Sequence, residues 1–315
     1  MNRIASEGNA APQRGGEGLG ALCTILSAVL FGTMPLIAKF AYQHGGNACT
    51  AVFGRFGTGA LISLLLPFLI PGFSLRITRR QMLDVLKLSI FYALTPILLY
   101  LSYNHIGSGL ATTLHFTYPI MVIALMALFF RSPLTGPKLL CAALCTAGVL
   151  LLYSPAEGVE SEAMGMALAV ASGLTFALYI ILLGHSSLGS LPATAVTFWL
   201  SAFAAAEVGA FGLLTEDLRL FAPWQAWAAY WLLGLFATVL AISLFQKGVF
   251  LCGEVKASLL SNFEPMTGAA TASGSRGRAS RSGIWWTRTT GYPTWWRRRT
   301  ARECPWPTTP AAGTT

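Results

Sequence analysis

Nine long apolar stretches constrain this chain more than any other feature of its sequence. A helix needs about 20 mostly apolar residues to cross about 30 Å of hydrocarbon, and it satisfies its backbone hydrogen bonds internally. The chain is only 10% charged, whereas about 25% is usual in soluble domains. The sequence therefore predicts an all-α, polytopic membrane protein, with spans at about 20–42, 48–70, 84–104, 108–130, 137–153, 164–184, 192–214, 225–246 and 249–272.

Lysine and arginine are distributed unevenly between the predicted loops. With a cytoplasmic N-terminus, the outside loops hold little beyond Arg219, and the acidic segment around Glu157 lies outside. Because short cytoplasmic loops are enriched in these cations, we predict a cytoplasmic N-terminus in a multi-pass protein of the plasma (inner) membrane. The inside segments would then hold Arg3, Arg14, Arg76, Arg79, Arg80, Arg131, Lys138 and Lys247.

The two halves of the chain resemble each other weakly. "ATTLHFTYP" (111–119) aligns with "ASLLSNFEP" (257–265) at an offset of about 146 residues, and "SAVLFG" from Ser27 aligns with "SGLTFA" from Ser172 at about 145. Each repeat would hold five helices, so the second repeat would enter the membrane from the opposite side. Inverted repeats are typical of secondary transporters, which bind substrate between the halves and work by alternating access.

Four segments carry a resemblance to a known family: "LFGTMPLIAKFAY", the arginine in "FGRFGTGALI", "SGLATTLHFTYP" and "VKASLLSNFEP". Over about residues 18–268 the chain resembles the EamA-type drug/metabolite transporter superfamily. The resemblance implies a bundle of ten helices in two five-helix inverted repeats, and export or exchange of a small metabolite. It does not identify the substrate, the coupling ion or the direction of transport.

The sequence departs from that pattern after Pro265, where a tenth helix is due. We expect a cytoplasmic segment at 1–19, a first repeat at 20–153, a second repeat of about four helices at 164–272, and an atypical, disordered tail at 273–315. From Thr271 onward the chain has eight Arg and five Trp but no Leu, Val, Phe, Met or Lys, whereas the first 270 residues hold 49 Leu.

Three interpretations of the tail compete: a segment that binds membrane surfaces or nucleic acid, an ordinary disordered tail, and a shifted reading frame in GC-rich coding sequence. Nine spans from a cytoplasmic N-terminus place the eight Arg outside, where the positive-inside rule least favours them. We therefore predict a frameshift, so a truncated, non-functional copy is the alternative to a working transporter. Lys and Arg outnumber Asp and Glu by only 13 to 11 through residue 270, so no nucleic-acid partner is expected.

Charged side chains within the spans are candidates for transport, because they are costly in a bilayer. Glu207 lies near the middle of the seventh span, where it could couple a cation or proton or form a structural hydrogen bond. Glu264 precedes Pro265, which frees a backbone carbonyl one turn back, so it could contact substrate or a proton or end a helix in water. Arg55 could neutralise an anionic group, hold the halves together or extend to the interface.

Span four supplies polar candidates beside the helix-breaking Pro119, namely Thr112, His115 and Tyr118. His115 could bind substrate or titrate if hydrated, although hydrogen-bonded packing is the favoured interpretation. Tyr100 and Tyr103 share a face of span three and are weaker pocket candidates, while Pro265 is the second helix-break candidate.

The sequence does not favour an enzyme. The aspartates, Asp84 and Asp217, lie at span edges, and no zinc-protease, serine-hydrolase or Walker sequence occurs. The six cysteines are scattered singly, which favours burial over metal binding or disulfides. We expect no metal or cofactor; the expected partners are the lipid bilayer and a small-molecule substrate, and a homodimer is compatible. A passive channel is the rival class, which the inverted repeat disfavours.

Overall fold

The computed structural model describes residues 14–69, 74–136, 140, 143–144 and 162–267, in which no strand occurs. The predicted fifth span (137–153), the end of the ninth, the first 13 residues and the 273–315 tail lie wholly or largely outside these ranges. The helices are α1 (Arg14–Gly32), α2 (Met34–Gln43), α3 (Ala48–Leu69), α4 (Arg79–Ser102), α5 (Ser108–His115), α6 (Tyr118–Phe130), α7 (Glu162–Gly184), α8 (Ala193–Leu214), α9 (Trp224–Leu233), α10 (Ala241–Cys252) and α11 (Glu254–Leu260). A π-helical segment, Gly234–Leu240, joins α9 to α10, and a 3₁₀ turn occupies Ser187–Ser190.

Seven helical stretches in the described ranges are long and apolar enough to cross a membrane. They correspond to predicted spans one to four and six to eight. Large apolar side chains point outward from them: Leu65 is 54% exposed, Phe68 83% and Leu128 73%. Extensive exposed apolar surface suits contact with lipid rather than water, which agrees with the predicted all-α membrane fold.

Three predicted boundaries were wrong. The eighth span was expected to end at 246 and the ninth to begin at 249, but α10 continues to Cys252 and α11 begins at Glu254. Gly253 separates them with a φ of 83°, a backbone conformation that glycine adopts without strain. Apolar residues resume after Lys247 and continue to Cys252, so hydropathy placed the loop too early. The third span begins at 79 rather than 84, because Thr78 and Gln81 form a capping box there.

Three helices are interrupted, each just before a proline. The first span breaks at Thr33, before Pro35. The fourth breaks at residues 116–117 before Pro119, and the ninth at residues 261–262 before Pro265. Proline lacks an amide hydrogen, which is not needed in the first turn of a helix. A new helix therefore begins after each break, with the proline in its first turn. The break at Thr33 was not predicted, since the first span was expected to be one helix.

The helices pack in pairs that an inverted repeat predicts. α1 packs against α10, and its counterpart α7 packs against α4 in the same way. α1 also contacts α11, as α7 contacts α5. A further pair, α3 with α8, joins counterparts to each other, and α6 of the first repeat contacts α11 of the second. The α1 and α7 contacts are thus related by a pseudo-twofold axis, and the two repeats pack against each other through several helices.

Close backbone approaches hold α3 in the bundle. A methyl group added at Gly59 would lie 2.6 Å from the Thr238 side chain, and one at Gly54 would lie 2.9 Å from the Tyr230 ring. The Thr58 hydroxyl lies 2.9 Å from the Tyr230 carbonyl, one turn before the π-helical segment. The position of α3, and with it of Arg55, is therefore set by contacts with the second repeat.

The cysteine prediction is confirmed for the described cysteines in the helices. Cys23, Cys49 and Cys252 are buried and free. Cys49 and Cys252 pack against Gly212 and Gly20 respectively, each in the other repeat. Buried thiols of this kind behave as small apolar side chains, so they contribute to helix packing.

Candidate functional site

The three helix interruptions lie against one another. A methyl group added at Gly32, beside the first break, would lie 2.9 Å from the Glu264 carbonyl oxygen after the third break. The Tyr118 hydroxyl, after the second break, donates a 2.7 Å hydrogen bond to the Ser261 hydroxyl at the third. We call Met34, Arg55, Tyr118, Ser261 and Glu264 the central site.

Arg55 is a buried cation with weak partners. Its side chain is only 9% exposed, and Nη1 lies 3.0 Å from the Met34 sulfur. A thioether is a weak hydrogen-bond acceptor. The guanidinium carbon lies 4.5 Å from the centre of the Phe56 ring, and Nε is buried without a hydrogen-bond partner. The guanidinium therefore keeps bonding capacity that the protein leaves unused.

Glu264 follows the third interruption and is half-buried. Its amide donates a 2.9 Å hydrogen bond to the Ser261 carbonyl, the group that Pro265 cannot serve because it has no amide hydrogen. Arg55 lies near enough to the Glu264 carboxyl to interact with it electrostatically. The two side chains form no ion pair within 4.0 Å, so no direct contact with Glu264 neutralises the guanidinium.

His115 contacts the second repeat through a serine. The Ser172 hydroxyl donates a 2.9 Å hydrogen bond to the Thr95 carbonyl and lies 2.9 Å from His115 Nδ1. A hydroxyl has one hydrogen, so the Ser172 oxygen is left to accept from Nδ1–H. The rings of Phe116, Tyr118 and Phe176 surround the imidazole. These contacts suit hydrogen-bonded packing better than substrate contact.

The tyrosines predicted on span three divide between two surroundings. Tyr103 lies 3.5 Å from the Thr112 hydroxyl, which brings two of the predicted residues together. Tyr100 lies near Asp217, which follows the end of α8. Both tyrosines lie near Tyr42 on α2, and Arg55 interacts electrostatically with Tyr42 as well. Tyr42 is therefore close to this polar group and to Arg55 of the central site.

Glu207 lies at a different interface, between α8 and α4. Its Oε1 is 2.8 Å from the Ser89 hydroxyl, while Oε2 is buried without a hydrogen-bond partner. Ser89 also lies 2.9 Å from the Leu86 carbonyl. The Ser89 hydroxyl has one hydrogen for these two oxygens, so both contacts are satisfied only when Glu207 carries a proton.

Sequence reasoning missed three contributors: Met34, Ser172 and Ser261. Met34 stands before Pro35 in a segment that carried the family resemblance. Ser172 and Ser261 lie within the aligned repeats, where matching positions were noticed but not treated as site residues. The repeat itself was the signal for both serines, because secondary transporters place their binding sites at the interface between inverted repeats.

Comparisons with known proteins agree with this architecture. A family model described as the EamA-like transporter family matches residues 18–154 and again residues 163–276. A crystal structure of another protein superposes with a TM-score of 0.66 at 15% sequence identity, covering 87% of this chain and 91% of the other; this likeness concerns the fold alone. A search of curated proteins gives no significant match.

Proposed function

Because the chain belongs to the EamA-like transporter family, whose members are multi-pass membrane transporters rather than enzymes, we propose that it is a secondary transporter of a small metabolite. It works by alternating access between its inverted repeats, as an exporter or exchanger. Its N-terminus lies in the cytoplasm, and it resides in the plasma (inner) membrane. The substrate binds at the central site.

The meeting of the three interruptions supports this function best. Irregular backbone at membrane depth is tolerated where it is buried in protein or lines a cavity, and secondary transporters place their substrate sites at broken helices between repeats. The Tyr118–Ser261 hydrogen bond joins the break of one repeat to that of the other. Rocking of the repeats would alter this contact.

The first turns of the counterpart helices α5 and α11 differ in their charged residues. At the start of α11, Glu254 Oε1 lies 3.1 Å from His185 Nδ1, and Lys256 lies 3.1 Å from Glu17. The counterparts in α5, Ser108 and Leu110, are uncharged. The charged residues at the start of α11 thus contact neighbouring helices, whereas Ser108 and Leu110 carry no charge, as expected for a carrier with one end closed. With a cytoplasmic N-terminus, this end faces the cytoplasm.

Counterflow tests the proposal directly. Full-length protein is reconstituted into vesicles preloaded with an unlabelled metabolite extract and diluted into a uniformly ¹³C-labelled extract. Mass spectrometry then identifies any compound whose label accumulates inside. A carrier gives saturable uptake that depends on preloading, whereas a passive channel gives flux that shows neither property.

Variants connect the flux to the site. We expect Tyr118→Phe and Ser261→Ala to lower counterflow several-fold, because each removes the hydrogen bond between the two breaks. Ser63→Ala is the matched control, since the Ser63 hydroxyl is buried without a hydrogen-bond partner. Equal counterflow in all three variants would contradict the assignment of substrate binding to this site.

A further inference from the structure

We propose that the transported molecule carries a single carboxylate, and that the guanidinium of Arg55 binds it. The assignment rests on the proposed transport function, because it names the substrate class of the same central site. Three features support it: the unused bonding capacity of Arg55, the shape of its guanidinium, and the balance of charge around it.

Arg55 is too buried and too poorly paired to be explained by protein contacts alone. A guanidinium carries five N–H donors. One nitrogen faces the Met34 sulfur and Nε has no hydrogen-bond partner, although Arg55 is only 9% exposed. A buried charge is costly unless it is paired and hydrogen-bonded. A ligand that supplies strong acceptors would remove that cost on binding.

The geometry of the guanidinium favours a carboxylate. Its planar fork presents two parallel N–H groups, which match the two oxygens of a carboxylate. The Phe56 ring lies 4.5 Å from the guanidinium carbon, within the range of a cation–π contact. The Met34 sulfur accepts a hydrogen bond from Nη1. A thioether is a weak acceptor, so a carboxylate oxygen can replace it.

The charge around Arg55 limits the ligand to one negative charge. Arg55 is the one cation of the central site, and Met34, Tyr118 and Ser261 are uncharged. A phosphate dianion or a dicarboxylate would bring two negative charges to a site that offers one positive charge. A single carboxylate brings one, which the guanidinium matches.

Binding to purified full-length protein in detergent tests the assignment without requiring transport. Thermal unfolding is followed while acetate, butanoate, benzoate or 3-phenylpropanoate is titrated, each beside its neutral amide at the same ionic strength. Phenyl phosphate supplies the dianionic comparison. We expect at least one carboxylate to stabilise the protein, its amide to have no effect, and phenyl phosphate to bind more weakly.

Substitutions then locate the binding. Arg55→Met should lower the affinity for the carboxylate at least about tenfold. Arg55→Lys keeps the charge but loses the fork, so it should bind the carboxylate less tightly than the parent protein even if Arg55→Met does not fold. Arg76→Met is the matched control, because Arg76 is exposed in the segment before α4.

Each outcome has a defined meaning. The assignment is overturned if none of the carboxylates is distinguished from its amide, if phenyl phosphate binds more tightly, or if Arg55→Lys binds as well as the parent. Carboxylate binding that depends on Arg55, in the absence of counterflow, would support the ligand class and contradict the transport function. Saturable counterflow of a neutral or cationic metabolite would do the reverse.

Discussion

The hydroxyl of Ser27 in α1 donates a 2.7 Å hydrogen bond to the carbonyl of Ala241 in α10. Its counterpart in the second repeat is Ser172 in α7, which donates to the Thr95 carbonyl in α4 at 2.9 Å. Each bond joins the first helix of one repeat to the third helix of the other. The pseudo-twofold relation therefore extends from helix positions to individual hydrogen bonds.

Removing either hydroxyl should weaken the bundle, and removing Ser172 should weaken it more, because His115 Nδ1 also loses its partner. Hydrogen bonds between membrane helices contribute about 0.6 kcal/mol on average and at most about 1.7 kcal/mol. We expect Ser27→Ala to lower the free energy of unfolding within that range, and Ser172→Ala to lower it further, measured in detergent or bicelles. Ser63→Ala should have little effect, since its hydroxyl is buried without a partner. A loss for Ser63→Ala as large as for the other two would contradict this account.

Two counterpart glycines should be equally intolerant of alanine. A methyl group at Gly20 would lie 2.8 Å from Leu251 Cβ, and one at Gly165 would lie 2.7 Å from His105 Cβ. Overpacking of this kind costs about 1–3 kcal/mol, so both alanine variants should unfold at lower temperature than the parent.

Gly57 provides the control for those variants. A methyl group there meets nothing within 4 Å, and alanine is about 1 kcal/mol more favourable than glycine in a helix. Gly57→Ala should therefore be neutral or stabilising. Destabilisation by Gly57→Ala equal to that of the other two would show that the loss of glycine, rather than the close approach, controls stability.

The sequence was sufficient to predict the helical class, the repeat and the offset between its halves. The length of each apolar span and the odd number of spans per repeat can both be read directly from the sequence. The break at Thr33 and the Met34 contact to Arg55 were not predictable in the same way. Hydropathy does not register a one-residue interruption, and the partner of a buried cation depends on which helices become neighbours. The Ser261 contact was predictable in principle, because its segment aligned with that of His115.

The tail from residue 273 lies outside the described residues, but its origin can be tested in the coding sequence. The family match ends at residue 276, close to where Leu and Val disappear and Arg and Trp accumulate. We predict that a single-nucleotide correction near codons 268–275 restores an apolar tenth span. Sequencing across those codons, and translating the other frames, checks this. An unshifted gene in a close relative with the same Arg/Trp ending would contradict it.

Glu207 should be replaceable by glutamine without loss of the fold. The glutamine amide can donate to the Ser89 hydroxyl as the protonated carboxyl of Glu207 would, but it cannot release a proton. The hydroxyl has two oxygens to satisfy, the Leu86 carbonyl at 2.9 Å and Glu207 Oε1 at 2.8 Å, so an N–H donor at this position completes the set. We expect Glu207→Gln to unfold within about 1 kcal/mol of the parent.

Transport measurements distinguish a proton-coupling role of Glu207 from a role in helix packing. If Glu207 carries the coupled proton, Glu207→Gln vesicles should retain counterflow but lose at least about tenfold of the uptake driven by a pH gradient, because an intramembrane ionisable group has been removed. Ser89→Ala is the companion variant: it keeps the carboxyl and should retain gradient-driven uptake while losing stability. Unchanged gradient-driven uptake in Glu207→Gln would assign the carboxyl to helix packing alone.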